Sequence, residues 1–73
     1  MNEPSTTHRL VDELLLAIDA PPGEGPLELS SLAVVQLVDL IEASLGVIVS
    51  SHDITRENFA TRASLRALLE RWS

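Results

Sequence analysis

The sequence predicts an all-α fold: a small antiparallel bundle of three main helices plus one short helix, with a long loop between helices one and two. Three observations carry this expectation. Apolar residues recur at helical spacing in three separate stretches. Hydrophobic residues make up 45% of the chain, yet Phe59 and Trp72 are the aromatics, so the core must be built from Leu, Ile, Val and Ala. The one segment with β character, "VIV" at 47–49, has no second strand candidate to pair with, and a lone strand leaves its backbone groups unsatisfied. At 73 residues the chain reads as a single domain, 1–73. A domain of this size buries only about 60% of the surface its unfolded chain exposes, so its stability margin is thin.

The first helix is expected from Leu10, Val11, Leu14, Leu15 and Ile18, with Ser5, Thr6 or Thr7 as N-cap. It must stop at "APPGEGP", where prolines remove amide donors and restrict their predecessors. A loop then runs to Leu29. The second helix is expected from the paired serines to Leu45, where Gly46 tolerates a left-handed C′ conformation. Val35, Val38, Ile41 and Leu45 form one stripe, and Val34, Leu37 and Leu40 broaden it. A helix apolar over so much of its circumference is central to a bundle or touches something besides its own core.

After Gly46, "VIV" reads as an extended connector whose side chains plug the core. Asp53 or Thr55 is expected to cap a short helical turn ending near Phe59 or Ala60. Thr61 caps the last helix, in which Leu65, Leu68, Leu69 and Trp72 fall at i, i+3, i+4 and i+7. Arg66 and Glu70 are spaced to meet on its outer face.

Composition narrows the function. Five basic residues against eleven acidic ones give a formal charge of −6, which repels nucleic acid. The chain has no cysteine, so no disulfide framework is expected and the default address is cytoplasmic. The start, "MNEPSTTHRL", does not read as a secretion signal, and no apolar stretch is long enough to cross a bilayer. No membrane partner is therefore expected. His8 and His52 lack metal-ligand spacing, and so small a bundle has little room for a dry oxyanion pocket, so neither a metal site nor catalysis is expected. Asp39 and Glu42, three apart on the second helix, read as a solvated face rather than an acid/base pair. Trp72 reads as a core plug.

The serines remain. A Ser ahead of an apolar helical run is a good N-cap, which explains one of Ser30 and Ser31 but not both. Here Ser31-Leu32, followed by Val35, Leu37, Val38, Ile41, Glu42 and Leu45, then Gly46 and "VIV", resembles the acyl and peptidyl carrier-protein signature. In that signature Asp-Ser-Leu opens the second helix, with apolar residues at matching offsets. "DITRENFATRASLRALLE" is similar to the family's downstream stretch and "THRLVDELLLAI" to its first helix, so the resemblance spans nearly the whole chain.

The resemblance implies that Ser31 receives 4′-phosphopantetheine from coenzyme A through a phosphopantetheinyl transferase. The arm then carries an acyl or aminoacyl group as a thioester, with no catalysis by the carrier itself. Register favours Ser31, because attachment at Ser30 would slip every apolar offset by one residue. A phosphodiester at a helix N-terminus also meets free amide hydrogens and the positive end of the macrodipole.

The family's preceding aspartate is here Ser30, and the usual acidic face reads Ala33, Gln36, Glu42 and Ala43, with Asp39 nearby. Partner contact is accordingly expected through Leu32, Val34, Asp39, Leu40, Glu42 and Ala43. The partners implied are a loading enzyme and an acyltransferase or synthase of polyketide or nonribosomal-peptide type biosynthesis, engaged by a monomeric carrier. The competing reading is an unmodified carrier-like module that binds a partner protein through its second helix.

Overall fold

The computed structural model describes residues 6–72. Its elements are α1 (Thr6–Ala17), α2 (Ser31–Leu45), a single 3-10 turn (Ser51–Asp53) and α3 (Arg62–Glu70). Among the described residues there is no strand, and the one β-bridge joins Pro26 to Thr61. Helix α1 packs against both α2 and α3.

The core draws Val11, Leu14 and Leu15 from α1, Leu37 and Ile41 from α2, and Leu65, Leu68 and Leu69 from α3. Leu27, Val49 and Phe59 enter it from the connecting segments. Each such side chain contributes about 1.5–3 kcal/mol on leaving water. Trp72 lies half-buried against this cluster, as expected of a plug at the end of α3.

The ends of the helices are set by local chemistry. Of the three residues expected to cap α1, Thr6 and Thr7 fall inside the helix and Ser5 lies outside the described residues. The helix stops before the prolines are reached. Asp19 adopts a left-handed φ of 60°, the Asp19 amide donates to Leu16 O at 3.1 Å, and the Ala20 amide reaches back to Leu15 O at 2.9 Å. This is the Schellman arrangement, with aspartate where glycine is usual. Gly46, at φ 67°, ends α2 as the sequence predicts. Thr61 caps α3 through a reciprocal box in which its Oγ1 accepts the Ser64 amide hydrogen and its own amide donates to Ser64 Oγ, both at 3.1 Å.

Three expectations need correction, and one element was not foreseen. Val35 is 56% exposed and is not part of the buried stripe of α2. Burial centres on Leu37 and Ile41, and at about 100° per residue Val35 stands some 160° around the helix from Leu37. In "VIV" Val49 is buried and Val47 half-buried, but Ile48 is 92% exposed, because side chains of an extended segment alternate in direction. A 3-10 turn at Ser51–Asp53, capped by Ser50, was not expected. The turn expected after it is present: Thr55 Oγ1 accepts the Asn58 amide hydrogen at 3.1 Å, and the Phe59 amide donates to Thr55 O at 3.2 Å. Finally, Arg66 is engaged with Glu24 and Asp12 rather than with Glu70, which meets His8 at 3.6 Å.

The connection between α1 and α2 is tied down by α3. Buried Arg62 donates to Pro21 O and Gly23 O, each at 3.1 Å, and to Asp12 Oδ1 at 2.8 Å. Arg66 adds a two-pronged contact to Glu24, and the Leu27 amide donates to Ala60 O at 2.8 Å. These contacts carry Leu27 into the core and deliver the chain to the start of α2.

Candidate functional site

The serines divide two tasks between them. Ser30 is the N-cap of α2, with extended φ and ψ of −71° and 165°, and its Oγ accepts the Ala33 amide hydrogen at 3.1 Å. The Val34 amide donates to Ser30 O at 2.9 Å. Ser31 is the first residue inside the helix; its side chain is exposed and makes no hydrogen bond among the described residues. Of the four amides that open a helix without an intrahelical acceptor, only that of Ala33 is capped; those of Ser30, Ser31 and Leu32, the last two within the first turn, are left for solvent or a ligand.

Ser31 stands at the edge of an open cleft of about 830 Å³. Its apolar lining includes Leu29, Val34, Val35, Ile54 and Phe59, so α2 and the segment leading to α3 both contribute to it. Three polar residues join Ser31 there: Glu28, Thr55 and Arg56. Glu28 adopts a left-handed φ of 52°, an uncommon conformation for a residue other than glycine. That backbone turn falls two residues ahead of the cap and directly after buried Leu27.

The six residues expected to meet partners do not share one environment. Leu32, Asp39 and Ala43 are exposed and, at i, i+7 and i+11, lie on one solvent face of α2. Val34 and Leu40 are half-buried against the core. Glu42 is also half-buried, and its Oε2 accepts the Val49 amide hydrogen at 2.8 Å, holding the extended connector to α2. Val35 and Ile54, both exposed beside Ser31, were not among the six, and neither were Glu28 and Arg56. Exposure of Val35 follows from its angular position on α2, whereas the other three reach the cleft from segments that only the folded chain brings together.

Among the described residues no cluster of His, Asp and Glu is arranged to hold a metal ion, and no helix is long and apolar enough to cross a membrane. No family model, curated protein or solved structure matches this chain.

Proposed function

We propose that this protein is a carrier whose Ser31 bears 4′-phosphopantetheine and presents an acyl or aminoacyl thioester to partner enzymes, in polyketide or nonribosomal-peptide type biosynthesis. The observation that carries the reading is the division between the serines: Ser30 is consumed as the cap, while the Ser31 hydroxyl stands exposed at the first position of α2. Nothing in the helix requires a hydroxyl there.

The residues present fit the prosthetic group. The Ser31 oxygen is reachable, two first-turn amides are open to a phosphodiester, and the adjoining cleft has room and a cation, Arg56. In the modification, Ser31 Oγ would form the ester bond to phosphorus and give its proton to a base of the transferase, while the nucleotide half of coenzyme A departs. The bound arm supplies a thiol that carries the cargo as a thioester. The chain's own part is to hold Ser31 outward on a rigid helix start and to offer the solvent face of α2, with Leu32 and Val35 exposed, to successive enzymes.

The intact mass of the protein isolated from its producing cell tests this. One phosphopantetheine adduct, bare or acylated, is the expected result, and a chain of unmodified mass would contradict it. The second reading, an unmodified interaction module, draws on the same exposed Leu32 and Val35. It would be favoured if the unmodified chain co-purified with one protein partner and lost it on Leu32→Asp.

A further inference from the structure

All five basic residues of the chain are arginines. Arg62, Arg66 and Arg71 are committed to ion pairs with Asp12, Glu24 and Asp53. Arg9 and Arg56 are in no ion pair among the described residues, although acidic residues outnumber basic ones about two to one and Glu28 lines the cleft beside Ser31; of these two arginines, the one that lines that cleft is Arg56. Its backbone is held on both sides. Thr55 Oγ1 accepts the Asn58 amide hydrogen at 3.1 Å, Asn58 Nδ2 donates to Asp53 O at 2.8 Å, and Phe59 anchors the turn in the core. Arg56 and Ser31 therefore line one cleft, and this exposed arginine has no hydrogen-bond or ion-pair partner among the described residues.

We infer that Arg56 is a positioning residue for the prosthetic arm, its guanidinium pairing with the phosphodiester on Ser31 and drawing the arm toward the cleft. This rests on the carrier reading. The planar fork of arginine suits two phosphate oxygens at once. The pair is solvent-exposed, so its effect is modest: exposed ion pairs change an equilibrium by about two- to fivefold. Glu28, on the same rim, opposes the anion and keeps the arm exchangeable rather than locked.

The test loads the parent, Arg56→Gln and Glu28→Gln proteins with phosphopantetheine, verifies each by intact mass, and records the 31P shift and relaxation of the phosphodiester. Urea-unfolded protein gives the value for the free arm. In the parent the signal should be displaced from that value. Arg56→Gln should reduce the ratio of docked to free arm about two- to fivefold, Glu28→Gln should raise it, and molar salt should erase the difference between parent and Arg56→Gln. Identical 31P behaviour in parent and Arg56→Gln would overturn this inference alone. Failure of all three proteins to gain the mass would overturn the carrier reading with it.

Discussion

Ser30 Oγ accepts the Ala33 amide hydrogen at 3.1 Å, and this bond separates the roles of two adjacent serines. Ser30→Ala should cost about 1 kcal/mol in urea denaturation, the usual loss for an N-cap, while leaving the capacity for modification intact. Ser31→Ala should leave stability within about 0.5 kcal/mol, since an exposed residue outside any special contact is being changed.

Arg62 is buried, and its guanidinium bonds two loop carbonyls and Asp12. Arg62→Ala should destabilise the fold by about 2 kcal/mol and raise hydrogen exchange at the Leu27 amide, because the loop loses its tether. Asp12 is 56% exposed, so Asp12→Asn should cost less than about 1 kcal/mol. Equal costs for the two variants would show that the carbonyl contacts contribute nothing.

Helix α2 tests which apolar side chains face inward. Leu37→Ala should cost about 2–5 kcal/mol, as expected for truncating a fully buried leucine. Val35→Ala should stay within about 0.5 kcal/mol. Chemical denaturation of both variants distinguishes the observed face from the stripe expected from spacing.

Asp19 holds a left-handed φ of 60° at the end of α1. Asp19→Gly should stabilise the protein by about 0.5–1 kcal/mol, and Asp19→Val should destabilise it by at least as much, because a β-branched side chain is least tolerated there. Melting temperatures of the two variants should move in opposite directions.

What could be read from the chain depended on how local the deciding interaction is. The Thr61 cap, the Gly46 stop and the inward face of α3 rest on residues within one or two turns of each other, and spacing reveals them. Helix α2 is apolar on too many sides for periodicity to choose between Val35 and Leu37; packing against α1 makes that choice. Glu42 resembles any surface carboxylate until the Val49 amide, seven residues on, is brought to it. Arg62 finds its acceptors about forty residues away, and a helical arginine gives no sequence sign of that. Ser31 is singled out in the sequence by the family resemblance, with register choosing it over Ser30, while Glu28 and Arg56 join it in lining one cleft only once the loop and the pre-α3 turn are in place.

The proposed function requires the Ser31 hydroxyl to be the point of attachment. The most direct test is intact mass after incubation with coenzyme A, magnesium and a broad-specificity phosphopantetheinyl transferase. The parent and Ser30→Ala should each gain one phosphopantetheine, and Ser31→Ala should gain none. An unmodified parent, or a Ser31→Ala protein that still gains the adduct, would contradict it.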